Sequence, residues 1–371
     1  MNIVHMVNIG VGGGQLRVAL EQTRHLQREG HQSLLIAGFP IPSPYKYDDV
    51  EVRYKINLRF PKLMQGFLVP FMREISGAVG SLKLPKDYQP DWIVCHSLGL
   101  IYDALEMKRK TGCKVAVIIH AITYPPSLLN FLTGLPLIRK RQLKRATKLM
   151  NEVDLIISTS RVTQKFVRDT YDVESEILYL GCSPASKIPA KRGDFVLCAQ
   201  RMSIRKKVDL AARVILLIDK DIKVIFAGES HRTSRLLINK IRKTGLKNYE
   251  IRLDLTDEEL TNLYLTCRVL LYINKEPFGM NQMEAASNGA PVVANAGSGA
   301  SELFTNGLHG FFIKDKSGKP PLKEYAERVR ELIDNERLAW KMGRAAWELC
   351  KKEYTWKKHV RRLLKLFDKY S

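Results

Sequence analysis

Apolar and polar segments alternate from the start of the chain in the order strand, helix, strand. The first residues, NIVHMVNIG, form a short apolar run that ends in the glycine-rich stretch GVGGG. The next segment, QLRVALEQTRHLQREG, has apolar residues at helical spacing, and HQSLLIAG is apolar again. This order predicts a βαβ unit. Further strands are predicted at DWIVCHS, KVAVIIHA and VDLIISTS, with helical segments such as GLIYDALEMKRKTG between them.

A second series of the same kind follows residues 181–194, whose small residues, prolines and charges are typical of a linker. Its apolar runs are DFVLCAQ, IKVIFAGES, YEIRLDL, VLLYINK and APVVANA, and only helices are predicted after Pro321. Such alternation predicts an α/β protein with two doubly wound parallel sheets. We expect a first domain over residues 1–185, with residues 355–371 packing back on it, and a second over residues 186–354.

Composition restricts the class of protein. The chain has 371 residues, of which 45% are apolar and 26% charged, and no segment has the roughly 18 consecutive apolar residues of a membrane span. The first residues lack a basic leader, so we expect a cytoplasmic protein. Six scattered cysteines without a CxxC pair favour reduced core thiols over disulfides or a zinc site, and no metal site is predicted.

The net charge of +22 is concentrated between Arg53 and Lys148 and again from Lys341 to the end. Such a field attracts phosphates, nucleic acid and anionic lipid alike, and a solvated basic face without a partner is the alternative. Residues 56–83 mix apolar and cationic side chains, so they could lie on an anionic membrane or form a packed helix pair. No aromatic, zinc-finger or helix-turn-helix signal supports nucleic-acid binding.

Loops that follow strands are the expected place for a ligand in such sheets. The first is residues 10–14, where Gly13 and Gly14 let backbone N–H groups approach an anion, although a tight structural turn explains the glycines equally well. The second, residues 201–207, contains Arg201 and Lys206 among four cationic side chains. These side chains suit a diphosphate, with a solvated loop as the alternative.

The third loop and the short helix after it carry two carboxylates, Glu276 and Glu284. We expect a helix over residues 279–288, with Pro277 in its first turn, whose free N–H groups point above the sheet. Gly279 would permit close approach of a phosphate, and the carboxylates would accept hydrogen bonds from sugar or ribose hydroxyls. The alternative is two solvated glutamates.

Two further strand ends are candidates. Residues 295–302 form another glycine loop, in which Ser298 or Ser301 is expected to cap a helix. His120 ends the strand KVAVIIH and would face a ligand there, although a lone histidine is more often structural.

With these motifs, the chain resembles the retaining GT-B glycosyltransferases, also called group 1 or family four, whose hallmark is Glu, seven residues, Glu. Glu276 and Glu284 match that motif, within EPFG and before NGAPVVAN. Arg201 and Lys206 match the family's diphosphate-binding pair, and His120 matches a histidine near the donor sugar. Two departures are Lys207, where glycine is usual, and LGCSP in place of Asn-Gly-Val-Asp at the linker.

The resemblance implies the GT-B fold, with a cleft between two Rossmann-like domains and a C-terminal helix that crosses back to the first. It implies that Glu284 binds ribose, that Glu276 binds the donor sugar, and that Phe278, Gly279 and Met280 offer backbone N–H groups. The expected reaction is metal-independent transfer, with retention, from a UDP- or GDP-sugar to a glycan or lipid-linked hydroxyl, without a cofactor. Nucleotide-sugar epimerase or hydrolase activity is the alternative, and a basic nucleic-acid-binding protein is a more remote one.

Overall fold

The computed structural model describes residues 1–7, 14–38, 49–54, 84–85, 88–121, 136–218, 220–231 and 233–371, except for the side chains of residues 136–142. The chain divides into two compact units. Met1–Leu180 and Trp356–Ser371 form the first unit, and Gly181–Thr355 form the second. Residues 10–13 of the glycine loop and the apolar and cationic segment 56–83 lie outside the described residues.

The first unit contains a parallel sheet of seven described strands in the order β3-β2-β1-β4-β5-β6-β7. Described helices follow β1, β4, β5 and β6, as the alternation predicts. The strands are β1 (Asn2–Val7), β2 (Gln32–Ala37), β3 (Val52–Tyr54), β4 (Trp92–Cys95), β5 (Lys114–Ile119), β6 (Leu155–Ser158) and β7 (Glu176–Ile177), and the helices are α1 (Gly14–Arg28), α2 (Ile101–Thr111), α3 (Pro136–Glu152) and α4 (Arg161–Tyr171).

The second unit contains a parallel sheet of six described strands in the order β10-β9-β8-β11-β12-β13. The strands are β8 (Phe195–Ala199), β9 (Lys223–Gly228), β10 (Tyr249–Leu253), β11 (Val269–Tyr272), β12 (Val292–Asn295) and β13 (Gly310–Ile313). The helices are α5 (Asp209–Leu216), α6 (Ser234–Arg242), α7 (Asp257–Thr266), α8 (Met280–Ser287), α9 (Leu322–Asp334) and α10 (Glu336–Glu353). The predicted pair of parallel α/β sheets is confirmed.

Both sheets reverse their strand order at one place, between β1 and β4 in the first unit and between β8 and β11 in the second. At such a switch point the connections leave in opposite directions, which opens a crevice at the carboxyl ends of the two strands. The topology therefore indicates the loops after β8 and β11, and those after β1 and β4, as the places for ligands.

The last helix, α11 (Trp356–Lys369), packs on the sheet of the first unit. Its apolar residues Val360, Leu363 and Phe367 recur at helical spacing and are fully buried. The Phe367 ring stacks on Trp92 of β4 at a centroid distance of 4.4 Å. The chain therefore returns to its first unit through an apolar helix face.

Three details differ from the expectations. The strand expected to reach Lys275 ends at Tyr272, and α8 begins at Met280, three residues after Pro277. Gly279 has φ 106°, which an α-helix does not accommodate, so the helix cannot include it. Residues 299–303 form only a short 3₁₀ helix.

The six cysteines are buried and free, which confirms them as core thiols. Within the described part of the chain, no helix has the length and apolar content needed to cross a bilayer.

Gly343 of α10 allows this helix to contact the end of α8. A Cβ atom at this position would lie 2.0 Å from the carbonyl oxygen of Gly289. Alanine normally favours a helix over glycine by about 1 kcal/mol. We nevertheless expect Gly343→Ala to lower the free energy of unfolding by about 1–3 kcal/mol, because backbone must move. Urea unfolding measures this, with the exposed Lys341→Ala on the same helix as control; a stabilised Gly343→Ala protein would contradict the contact.

Candidate functional site

The loops after β8 and β11 meet at the switch point of the second sheet. β8 and β11 are hydrogen-bonded neighbours, with Val196 opposite Val269 and Leu197 opposite Leu270. A 3₁₀ helix over Ile204–Lys206 follows β8. The two loops that carry the predicted cations and carboxylates therefore start side by side.

Lys206 and Glu276 form an ion pair at this point, with 2.5 Å between Nζ and Oε1. The same oxygen accepts hydrogen bonds from the Tyr272 hydroxyl at 3.0 Å and from Asn274 Nδ2 at 2.9 Å. The side chain of Lys206 is 28% exposed and that of Glu276 is 13% exposed. Among the described residues, the hydrogen bonds to this carboxylate all reach Oε1. The carboxylate is therefore oriented through that one oxygen.

Tyr272 is a permanent donor in this arrangement. Burial raises the pKa of its phenol well above the usual value, and the nearby Glu276 carboxylate raises it further. The hydroxyl therefore keeps its hydrogen throughout the physiological pH range and can donate it to Glu276.

The backbone of the loop that carries Glu276 is held by the loop after β12. The Glu276 N–H donates to Ser298 Oγ at 3.1 Å, and the Gly299 N–H donates to the Glu276 carbonyl at 3.1 Å. The Ala300 N–H donates to the carbonyl of Phe278, whose side chain is buried. The expectation that Ser298 or Ser301 caps a helix is wrong, because the Ser298 side chain makes no capping bond and the Ser301 hydroxyl donates to the Asn295 carbonyl. Instead, Ser298 positions Glu276.

Gly279 occupies the position before α8 with a positive φ of 106°. A Cβ atom there would lie 3.0 Å from Nε2 of the buried Gln282. Gly279→Ala therefore combines backbone strain with crowding at the helix start, where unpaired N–H groups are available to a ligand.

We expect Gly279→Ala to lower both the melting temperature and the affinity for a nucleoside diphosphate. Gly245→Ala is the matched control. Gly245 also has a positive φ, 84°, but a Cβ atom at this position would have no neighbour within 4 Å. In the control, the substitution destabilises the folded state only through backbone strain, by about 1–2 kcal/mol. Thermal unfolding and titration calorimetry measure the two effects, and equal losses in both variants would contradict a specific role of Gly279.

Glu284 lies on α8 and is joined to α7 through Tyr264. The Tyr264 hydroxyl donates to Glu284 Oε2 at 3.3 Å and accepts from Asn281 Nδ2 at 3.2 Å. Tyr264 is itself 2% exposed. The second carboxylate is thus hydrogen-bonded to the hydroxyl of a buried tyrosine.

Arg192 joins the carboxyl ends of α7 and α8 through hydrogen bonds from its guanidinium. Its guanidinium is buried and donates to the carbonyls of Tyr264 at 2.9 Å, Cys267 at 3.2 Å and Asn288 at 2.7 Å. Carbonyls at a helix end lack intrahelical partners, so a cation satisfies them well. Arg192 therefore fixes the two helices that carry Tyr264 and Glu284.

Arg201 follows β8 but pairs with a different carboxylate. Its Nε and second guanidinium nitrogen contact Glu229 Oε2 at 2.8 Å and 2.7 Å. Glu229 follows the carboxyl end of β9, the neighbour of β8. The structure thus brings Lys206 and Glu276 into contact and places Arg201 at the same sheet edge, held by another acid.

Four predicted site residues remain, namely Gly13, Gly14 and His120 of the first unit and Met280 of the second. Gly14 is the first residue of α1, and His120 follows β5 and hydrogen-bonds to His96. Gly13 lies outside the described residues. Met280 begins α8.

The sequence interpretation missed the side chains that hold the candidate residues. Tyr272 and Asn274 precede Glu276 by four and two residues in YINKE, and Glu229 is the third residue of AGES. Polar residues at the carboxyl end of an apolar strand were the available signal for these three. Tyr264 and Arg192 gave no such signal, because their roles depend on how α7 and α8 pack. Among the described residues, no group of His, Cys, Asp and Glu side chains is arranged to hold a metal ion.

Comparison with known families identifies the class of protein. Residues 184–348 match the family described as "Glycosyl transferases group 1", and residues 12–184 match "Glycosyltransferase Family 4". The chain is a glycosyltransferase, and the two matches together span residues 12–348. The group 1 match includes the loops after β8 and β11, so the predicted cations and carboxylates fall within it.

The glycosyltransferase is similar to two uncharacterized glycosyltransferases of Methanocaldococcus jannaschii. One is 26% identical over 59% of this chain, and the match spans 60% of that protein, less than two thirds of its length. The other is 22% identical and covers 97% of this chain and 95% of that protein. Among solved structures, Anabaena HepE in complex with UDP and glucose is 16% identical, covers all of both chains and has a TM-score of 0.72. The last likeness shows the fold, which is GT-B.

Proposed function

We propose that the glycosyltransferase moves a sugar from a nucleoside diphosphate donor, of the UDP or GDP type, to a hydroxyl acceptor with retention of anomeric configuration. The observation that carries this proposal is the Lys206–Glu276 pair at the switch point of the second sheet. At this point the Lys206 ammonium group, which suits a diphosphate, lies beside the Glu276 carboxylate, which suits sugar hydroxyls. Anabaena HepE, a structural neighbour, has been solved with UDP-glucose, which supports a donor of this class.

Departure of a nucleoside diphosphate leaves negative charge on its terminal phosphate. An ammonium group has three N–H donors, so Lys206 can keep its bond to Glu276 while it binds phosphate oxygens. Arg201 and the free N–H groups at the start of α8, from Phe278 to Met280, would add to this stabilisation. These groups supply the positive charge that the leaving diphosphate requires, and the mechanism we propose uses no metal ion.

The two carboxylates would bind different parts of the donor other than its diphosphate. Glu276 has its Oε1 held by three donors, so we assign its Oε2 to hydroxyls of the transferred sugar. Glu284, supported by Tyr264, is assigned to the ribose hydroxyls. We assign His120, in the first unit, to the donor sugar as well, and Gly13 and Gly14 to the phosphates.

Retention is proposed to proceed by front-face attack, in which the leaving phosphate takes the proton of the acceptor hydroxyl. The test is to incubate the enzyme with a nucleotide sugar and a hydroxyl acceptor and to follow the anomeric proton of the product by NMR. A product with the donor's configuration supports the proposal. An inverted product, or turnover of the donor alone to free or epimerised sugar at the same rate, would contradict it.

The acceptor is proposed to be a glycan or a lipid-linked hydroxyl, the latter presented at an anionic membrane surface. The excess of basic residues between Arg53 and Lys148 and the apolar and cationic composition of residues 56–83 support a membrane surface. Sedimentation with anionic vesicles at low and high salt tests it. Salt-sensitive binding to anionic but not neutral vesicles is expected, and its absence would contradict the membrane contact.

A further inference from the structure

Three histidines form a hydrogen-bonded row at the switch point of the first sheet. His5 lies in β1, His96 follows β4, and His120 follows β5. The His5 Nδ1 to His96 Nε2 distance is 3.1 Å, and the His96 Nδ1 to His120 Nε2 distance is 3.0 Å. The rings of His96 and His120 are nearly parallel, 17° apart, with centroids separated by 5.1 Å. The row thus ends at His120, which the proposed function places at the donor sugar.

All three imidazoles are neutral. Burial lowers the pKa of His5 and of His120 to about 3, and it lowers that of His96 well below the usual value. His359 of α11 lowers all three pKa values further, and His120 and His5 also lower the pKa of His96. A neutral imidazole has one N–H donor and one lone-pair nitrogen. Each ring can therefore donate one hydrogen bond and accept one.

Two hydrogen bonds in series allow only two arrangements of the hydrogens. In one, every ring carries its hydrogen on Nδ1, so that His5 donates to His96 and His96 donates to His120. In the other, every ring carries it on Nε2 and the donation runs in the opposite direction. The nitrogen that carries the hydrogen in His120 is therefore determined by the tautomer of His5, at the other end of the row.

His5 favours the first arrangement. Its side chain is fully buried, and its Nε2 has no hydrogen-bond partner among the described residues. The second arrangement would place an N–H group at this nitrogen without an acceptor, and buried N–H groups without acceptors are rare in proteins. The first arrangement leaves only a lone pair there. Nδ1 of His120 then carries the hydrogen, and its Nε2 accepts from His96.

We propose that His96 is a positioning residue, which holds His120 as the Nδ1–H tautomer and so makes it a hydrogen-bond donor rather than a base. This inference rests on the proposed function for its catalytic consequence, although the tautomer can be measured without any substrate. Since His120 cannot then take the acceptor proton through Nε2, the row agrees with proton transfer to the leaving phosphate.

The structure contains a reference for the measurement. His359 is also buried, and its Nδ1 lies 2.8 Å from the Tyr179 carbonyl, which can only accept. Its Nδ1 must therefore carry the hydrogen, and its Nε2 accepts from Gln22 Nε2 at 2.8 Å. The ¹⁵N signals of His359 show how the Nδ1–H form appears in this protein.

Long-range ¹⁵N–¹H correlation spectra of the full chain with ¹⁵N-labelled histidine test the proposal. His120→Gln and His359→Gln assign the two sets of signals. We expect His120 to show the same pattern as His359 in the wild-type protein, and to gain the Nε2–H form in His96→Leu. His96→Asn should keep the Nδ1–H form, because the asparagine amide can donate from the place of Nδ1. An Nε2–H form of His120 in the wild-type protein would overturn the proposal.

Kinetics separate this proposal from the proposed function. We expect His96→Leu to lower kcat about 10-fold or more with little change in the KM for the donor, since a misplaced group costs turnover. His96→Asn should recover most of that loss, and His25→Leu, at a half-buried histidine of α1 outside the row, should leave kcat unchanged. An unchanged kcat in His96→Leu refutes positioning. An unchanged kcat in His120→Gln refutes the assigned role of His120, whereas the wild-type spectrum still decides the tautomer.

Discussion

Lys206→Ala should lower kcat by about 100- to 1,000-fold, the usual effect of removing one group that stabilises developing negative charge. Lys206 lies 2.5 Å from Glu276 at the carboxyl edge of the second sheet. In the part of the chain that the structure describes, its ammonium group is the cation that pairs with the carboxylate assigned to the sugar, so we expect no other side chain to replace it. Steady-state kinetics with a nucleotide sugar measure the loss.

The fold should survive this change. The side chain of Lys206 is more than a quarter exposed, and Tyr272 and Asn274 still donate to Glu276 without it. Lys220→Ala is the matched control, since it removes an exposed lysine of the same unit that pairs with Asp334. Exposed pairs contribute about 0–1 kcal/mol to stability. Equal activity in the Lys206→Ala and Lys220→Ala variants would exclude Lys206 from the reaction.

Glu276→Gln is the second change with a large expected effect, a fall in kcat of about 100-fold. The amide keeps the size of the side chain, but it removes the charge that pairs with Lys206 and turns one of the two oxygens into a donor. Tyr272 and Asn274 both donate to this group, so the amide must place its oxygen toward them and offer N–H groups to the ligand. Sugar hydroxyls that donate to Glu276 would then lose their acceptor.

Glu284→Gln gives the contrast that separates the two carboxylates. Ribose stays at a distance from the reacting carbon, so its contacts are the same in ground and transition states, and we expect a higher donor KM with kcat nearly unchanged. Glu284 is hydrogen-bonded to Tyr264, whereas Glu276 forms the ion pair with Lys206. The assignment of the two carboxylates would be wrong if Glu284→Gln lowered kcat as much as Glu276→Gln.

Much of the fold followed from the sequence because a parallel sheet leaves a simple pattern. Short apolar runs alternate with amphipathic helices, and ligand residues follow the runs. DFVLCAQ and VLLYINK are therefore followed by Lys206 and Glu276. Their direct contact was less predictable, since it requires β8 and β11 to be neighbours at the switch point.

The side chains that support the site escaped prediction for physical reasons. Tyr264 and Arg192 act through the packing of α7 and α8, and His5 sits within an apolar strand where a polar residue gives no local sign of its partner. The wrong start of α8 has a local cause. Pro277 favours a helix first turn, but the positive φ of Gly279 delays the helix to Met280.

The central claim is that the edge of the second sheet, at Lys206 and Glu276, binds a nucleoside diphosphate. Thermal unfolding of the wild-type and Lys206→Ala proteins with UDP, GDP and ADP tests it most directly, because a ligand that binds the folded state raises the melting temperature. We predict that UDP or GDP stabilises the wild-type protein and that Lys206→Ala loses most of this shift while Lys220→Ala keeps it. Equal shifts in all three proteins, or no shift with any nucleotide, would contradict the claim.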